Sequence, residues 1–269
     1  MIVFPNCKIN LGLHVVRKRP DGYHDLQTVF FPVPFRDMLE IVPAPAFHFD
    51  ATGLPIPGDP AKNLCIRAWE LLKHRFPDLP PVHLLLHKLI PMGGGLGGGS
   101  SNGSFMLIAL NKLFKLGLSS SELQALALQL GSDCPFFIVN EPVVATGRGE
   151  QMQPVSLNLN GYTLVLVMPG LHVSTAQAFG GIRPRDPGID LRTRITEPPE
   201  TWKNWLVNDF EETVFPAFPD IRQIKEWLYE QGAVYASMTG TGSTVYGLFA
   251  GDAPQLPEPP RGELRLFSL

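Results

Sequence analysis

The stretch Ile90–Ser101, "IPMGGGLGGGSS", decides how this chain is read. Six glycines surround one leucine, and two serines close the run. So many bare positions cost order on folding, which a globular chain accepts where something must come close to its backbone. Before the run, "VHLLLHK" alternates apolar and polar residues as a half-buried strand does. After it, "NGSFMLIALNKLF" is nearly continuous in apolar residues and longer than most strands, so it predicts a helix. A strand, a bare loop and a serine-capped helix start aim backbone N–H groups and the positive helix end at an anion, above all the phosphates of a nucleotide. A mere surface linker would carry polar flanks in place of Ile90 and "FMLIAL".

Three better-known glycine loops fit less well. Gly93, Gly95 and Gly98 satisfy GxGxxG, but a dinucleotide fold follows its loop with one helix, a strand and an acidic residue about 20 positions on. Here a second helix is expected over "SSSELQALALQLG", with a serine N-cap, Glu122 nearby and Gly131 at its end. A Walker loop needs Lys before its Ser or Thr, and none lies between Gly93 and Ser101. The lysine, HRD and DFG elements of protein kinases are absent as well.

Working outward, "CKINLGLHVV" and "MLEIVPA" read as strands, and "LCIRAWELLKHRF" as a helix for which Asn63 is a natural N-cap. "GYTLVLVMPG" reads as a buried strand, "DIRQIKEWLYEQG" as a helix, and "AVYASM" and "TVYGLF" as short strands separated by "TGTGS". The segment 181–199 is rich in Pro and charge and reads as a surface connection. The expectation is an α+β chain in two domains, 1–155 and 156–269. At 269 residues, 44% hydrophobic and 17% charged, such a chain can bury a substantial core. A net charge of −3 gives no electrostatic case for nucleic acid or an anionic membrane, so any anion site is local. No apolar run reaches the roughly 20 residues of a membrane span, and the start lacks a secretion signal, so a cytoplasmic location is expected. Cys7, Cys65 and Cys134 show no CxxC spacing and read as buried free thiols. His83 and His87 would stand about 13 Å apart along one strand, too far to share an ion, and read as exposed strand residues.

With these residues in view, "PMGGGLGGGSSN" resembles the phosphate-binding motif of the GHMP small-molecule kinases. "CKINLGLHVVRKRPDGYHDLQTVF", "NLCIRAWELL", "GSDCPFF", "HVSTAQAF" and "MTGTGSTVYGLF" are similar, in order, to the members that act on cytidine diphosphate methylerythritol. The resemblance weakens over 183–204 and after Gly251. It implies the two-domain GHMP kinase fold, with an N-terminal domain like domain 2 of ribosomal protein S5 and an α/β C-terminal domain.

The resemblance also implies roles. Asp133 is expected as the base that accepts the hydroxyl proton, with Lys8 beside it to hold the carboxylate ionised and offset developing charge. Pro91, Met92, Gly93, Gly94, Gly95, Leu96, Gly97, Gly98, Gly99, Ser100 and Ser101 would receive ATP, with Asn63 and Leu64 near the adenine. Asn10, Tyr23, His24, Phe30, Thr175 and Phe179 would hold the substrate, the aromatic residues around its cytosine. Mg2+ is expected to arrive with ATP, held largely by phosphates and water, with no metal ligand assigned. A kinase for homoserine or mevalonate is the alternative inside the superfamily, and "DGYHDLQTVF" argues against it. A silent metabolite-binding regulator would need neither Lys8 nor Asp133. The expected partner is the small-molecule substrate, with no nucleic acid or membrane, in a monomer or homodimer.

Overall fold

The computed structural model describes residues 1–252 and 255–269. In chain order the first half contains β1 (Ile2–Val3), β2 (Asn6–Lys18), β3 (His24–Arg36), β4 (Met38–Pro43), β5 (His48–Gly53), α1 (Leu64–Arg75), β6 (Val82–Lys88), α2 (Gly98–Leu113), α3 (Ser120–Leu130) and α4 (Cys134–Val139). The second contains β7 (Val143–Gly147), β8 (Gln151–Pro154), β9 (Tyr162–Met168), α5 (Thr175–Phe179), α6 (Leu191–Arg194), α7 (Pro199–Trp202), α8 (Glu211–Ala217), α9 (Pro219–Glu230), β10 (Tyr235–Met238), β11 (Val245–Ala250) and β12 (Glu263–Ser268).

These elements form two compact units that are interleaved along the chain. One comprises Met1–Lys8, Pro32–Met92 and Gly97–Glu141, the other Ile9–Phe31, Gly93–Leu96 and Pro142–Leu269. The chain therefore crosses between them inside β2, inside β3, on both sides of Gly93–Leu96 and between Glu141 and Pro142.

The first unit is a sheet of order β1-β4-β6-β5, antiparallel except for the parallel β5–β6 edge, packed with α1 to α4. Its core joins Leu39 and Ile41 of β4, Val82, Leu84 and Leu86 of β6, Leu72 of α1, Leu107 and Leu110 of α2, and Leu126 of α3. Asn63 caps α1 by accepting from the Cys65 N–H at 2.9 Å. Ser119 and Glu122 form a capping box at α3, each side chain accepting from the other residue's N–H. Gly131 ends α3 in extended backbone, φ 172°, which any residue adopts, so this helix stops without a left-handed glycine cap.

In the second unit the sheet of order β10-β11-β9-β12 is antiparallel throughout. β9 lies between two neighbours, and its residues from Thr163 to Met168 are all buried, as its continuous apolar run predicts. α9 buries Ile221, Ile224, Trp227 and Leu228, a helical stripe that joins Val165 and Val167 of β9 in the core. The other sheet has the order β2-β3-β7-β8.

One expectation needs correction. The segment 181–199 is not wholly superficial: it contains α6, and Leu191 and Ile195 are completely buried. The C-terminal tail, over which the resemblance weakens, returns as β12 and pairs along β9. Residues 253 and 254 of that tail lie outside the described residues.

Candidate active site

The glycine run turns through three left-handed positions, Gly93 (φ +71°), Gly95 (+78°) and Gly97 (+69°), where an L side chain is strained. α2 then begins at Gly98, with Gly97 as an N-cap that supplies no side-chain hydrogen bond. The expected serine cap is therefore corrected, because Ser100 and Ser101 lie inside the first turn. The helix starts earlier than its apolar pattern suggests because glycines carry no pattern. The first-turn N–H groups of Gly98, Gly99 and Ser100 have no intrahelical acceptor and no cap side chain over them. Ser101 is fully buried, and its hydroxyl has no hydrogen-bond partner among the described residues. The bare start of this 16-residue helix, with a buried hydroxyl that has no partner among the described residues, suits the phosphates of a nucleotide.

The glycines also admit protein. A Cβ on Gly97 would meet the Phe137 ring at 3.1 Å and the Lys8 stem at 3.2 Å, and one on Gly98 would meet Ile90 at 2.8 Å. Gly97 thus lets Lys8 run against the loop. The Lys8 ammonium, on a side chain that is 5% exposed, lies 3.4 Å from a carboxylate oxygen of Asp133, which is 34% exposed. Asp133 sits at the start of α4 and makes no capping bond there, which leaves its carboxylate to Lys8 and to solvent. Pro135 at the beginning of α4 and the buried Phe136 and Phe137 anchor that helix, and Ser104 of α2 donates to the Cys134 carbonyl at 2.7 Å. The helix that follows the glycine loop and the segment bearing the carboxylate are thereby fastened together.

Beneath the loop entry lies a pair that the sequence reading missed. Lys88 and Asp37 are buried as an ion pair, and Asp37 also accepts from the N–H groups of Leu89 (2.7 Å) and Ile90 (2.8 Å) and from the Asn102 amide (2.8 Å). One carboxylate fixes the strand end, the path into the loop and the first turns of α2. The signal was present: in β6 the inward positions are Val82, Leu84, Leu86 and then Lys88. Burial pushes the Lys88 ammonium below its ordinary value, opposed by the charge of Asp37.

Of the residues expected near adenine, Asn63 serves as the α1 cap, and half-buried Leu64 packs where α2 has Gly103, whose Cβ would lie 2.9 Å from it. Pro91 is half-buried and Met92 is exposed.

In the second unit the loop residues Gly94 and Gly95 meet the "TGTGS" segment. The Thr244 N–H donates to the Gly94 carbonyl at 3.2 Å, and the Thr239 hydroxyl reaches the Gly95 carbonyl at 3.2 Å. Asn208, another residue missed in sequence, donates to the carbonyls of Met238 (2.7 Å) and Gly240 (2.8 Å) and so holds this segment. Asn10 is buried, donating to Thr28 at 3.0 Å, while its N–H donates to the Thr239 hydroxyl at 2.9 Å.

"DGYH" forms the expected tight turn between β2 and β3, with Gly22 at φ +86°. His24 stacks on Phe179 with centroids 4.7 Å apart, and Phe179 meets Phe210 edge-on, also at 4.7 Å. Burial, then the Lys18 charge, pushes the His24 imidazole below its ordinary value. Tyr23 is exposed under the Arg148 guanidinium, 5.0 Å from its ring centroid. Phe30 is only 3% exposed, which leaves little of its ring for a ligand. Thr175 is exposed at the start of α5, which Ser174 and Gln177 cap reciprocally.

The three cysteines are free and buried, and burial pushes the thiols of Cys7 and Cys65 up to about 12 and that of Cys134 to about 11. Among the described residues no helix is long and apolar enough to cross a membrane.

Comparison with known proteins bears on this geometry. Residues 63–141 match the GHMP kinases N terminal domain and residues 199–259 the GHMP kinases C terminal domain. The chain is 52% identical over 253 residues to the 4-diphosphocytidyl-2-C-methyl-D-erythritol kinase of Azobacteroides pseudotrichonymphae, covering 93% of each. It is 51% identical over 249 residues to the enzyme of that name from Parabacteroides distasonis, covering 93% of this chain and 92% of the relative. A crystal structure of 4-(cytidine 5'-diphospho)-2C-methyl-D-erythritol kinase superposes with a TM-score of 0.79 at 32% identity, covering 93% of this chain and 91% of the other. The chain belongs to the 4-diphosphocytidyl-2-C-methyl-D-erythritol kinase family of the GHMP kinases.

Proposed function

We propose that this kinase transfers the γ-phosphoryl of ATP to the 2-hydroxyl of 4-diphosphocytidyl-2-C-methyl-D-erythritol, a step toward isoprenoid precursors by the non-mevalonate route. The observation that carries the reading is the Lys8–Asp133 pair beside Gly97 of the phosphate loop. Phosphoryl transfer asks the protein for positioning, charge stabilisation and a proton acceptor. Asp133 accepts the hydroxyl proton at a carboxylate oxygen. Lys8 keeps that carboxylate ionised and offsets charge on the moving phosphoryl. The N–H groups at the start of α2 hold donor phosphate oxygens, and the Ser101 hydroxyl is available to them or to Mg2+. Mg2+ bound with ATP supplies charge neutralisation at the phosphates.

Asn63 and Leu64 flank the adenine, and Asn10 and Thr175 orient the substrate. His24, Tyr23, Phe30 and Phe179 form the cytosine end; the His24–Phe179 stack supports this reading more than the buried Phe30 does. A monomer or homodimer in the cytoplasm, with no nucleic-acid partner, suits a small-molecule enzyme. The limits 1–155 and 156–269 are proposed for the family domains, since residue 155 falls between the matched stretches. They are not the limits of the packing units, which interleave.

The test is ATP turnover with the cytidine substrate, followed by competition with CMP and UMP at fixed ATP. Turnover with stronger inhibition by CMP is expected, because uracil presents a carbonyl where cytosine presents an amine and leaves a site group unpaired. Equal inhibition by both nucleotides, unaffected by Phe179→Ala, overturns the cytidine assignment.

A further inference from the structure

The first unit carries a second constellation that the proposed reaction does not use. β5 and β6 run parallel with His48 opposite His83. Side chains two apart on a strand share a face, so Asp50 stands beside His48, while Phe49 between them packs toward the core. His48 Nε2 lies 3.3 Å from one oxygen of Asp50, and His83 Nε2 lies 2.8 Å from the other. The imidazole rings are 5.0 Å apart, and one donor atom from each of the three residues fits within 4.8 Å of the others. Donors bound at about 2.0–2.2 Å to one tetrahedral zinc ion lie about 3.3–3.6 Å apart, so these exposed side chains need only a small adjustment to share one.

We propose that His48, Asp50 and His83 form a binding site for a divalent transition metal ion of the zinc class. Two imidazoles with one carboxylate favour such an ion over magnesium or calcium, which take oxygen ligands. The three side chains are 64%, 50% and 45% exposed, so an ion can reach them and keep water in its remaining positions. β5 is the outer strand of its sheet and, among the described residues, pairs with β6 alone, so an ion shared by His48, Asp50 and His83 ties that edge to its neighbour. Ligand binding to the folded chain alone stabilises it by mass action. The site is separate in composition from Lys8, Asp133 and the glycine loop. His87, which the strand spacing already sets too far from His83 to share an ion, meets Thr52 at 2.9 Å.

Calorimetric titration of the full chain with Zn2+ alone, in a non-coordinating buffer without nucleotide, tests this. One ion per chain is expected. Affinity should fall about tenfold or more in His48→Ala and in Asp50→Ala, and stay unchanged in His74→Ala, which removes an exposed histidine elsewhere. Amide exchange in β5 should slow when Zn2+ is added to the unsubstituted chain, a readout that needs no variant to fold. Absence of saturable binding up to about 1 mM free Zn2+, beyond the range of a useful site, overturns the proposal. So does full affinity in the double variant His48→Ala, His83→Ala, or unchanged exchange in β5 at saturation.

Discussion

The carbonyl oxygen of Thr239 stands where Gly95 would carry a side chain: a Cβ there would lie 2.1 Å from it. The bareness of Gly95 is therefore a packing requirement of the loop against a second glycine-rich segment, with a left-handed φ of +78° added. Gly95→Ala should destabilise the fold by about 1–3 kcal/mol, read as a lower midpoint in urea.

Gly99 gives the contrasting case. It lies in the first turn of α2, and a Cβ there would come no closer than 3.7 Å to its nearest neighbour, the Met92 methyl. Gly99→Ala should keep or slightly raise stability, by up to about 1 kcal/mol. If donor phosphates lie over this turn, the KM for ATP should rise in the same variant. Unchanged ATP kinetics in the folded variant would take the first turn of α2 out of the nucleotide site.

Asp133→Asn should lower kcat by roughly 10²-fold or more while substrate affinity changes much less, as removal of a general base does. Lys8→Ala should act in the same direction. Because the two side chains meet at 3.4 Å, the double variant should lose less than the product of the single losses. Steady-state kinetics of the three variants decide this, and strict multiplicativity would mean that the pair does not work as a unit.

The Asp37–Lys88 pair predicts an asymmetry. Asp37→Asn strands a buried ammonium and should cost about 3–5 kcal/mol. Lys88→Met should cost less, because Asp37 keeps the N–H groups of Leu89 and Ile90 and the Asn102 amide. Urea unfolding of both variants measures the order.

His24 sets a pH dependence. Its folded midpoint lies below the ordinary 6.5, chiefly through burial. Between those values the unfolded chain binds more protons, so stability should fall as pH drops through 6.5 and level off once the folded imidazole is charged. An NMR titration should find His24 neutral at pH 7, and Phe179→Ala should move its midpoint back toward 6.5 by opening the stack. The same variant should weaken cytidine-substrate binding by about 1–3 kcal/mol if the stack holds the base.

The thiols offer a simple check. With all three buried and pushed upward, Cys7, Cys65 and Cys134 should resist a thiol reagent at about pH 8 in the native protein and react only on unfolding.

Much of this protein was decided by short-range chemistry that a linear sequence carries. The alternation of β6, the apolar run of β9, the Asn63 cap and the serine cap of α3 with Glu122 nearby each depend on residues within a few positions of one another, and each appears as expected. The glycine run announces a close backbone approach for the same reason. The match of several motifs in order carried the family, since motif order is itself a linear property.

Tertiary structure alone decided what lies against what. Lys88 is buried and paired because β6 turns its inward phase toward Asp37, 51 positions away in the chain. Lys8 reaches Asp133 along a path on which a Cβ at Gly97 would crowd its stem, and Gly95 is bare for Thr239 as much as for any phosphate. His83 gained His48 and Asp50 from β5, a strand with too short and polar a pattern to be read. Periodicity records which face a side chain takes, whereas its partner is set by strand order and chain crossing, which no local pattern encodes.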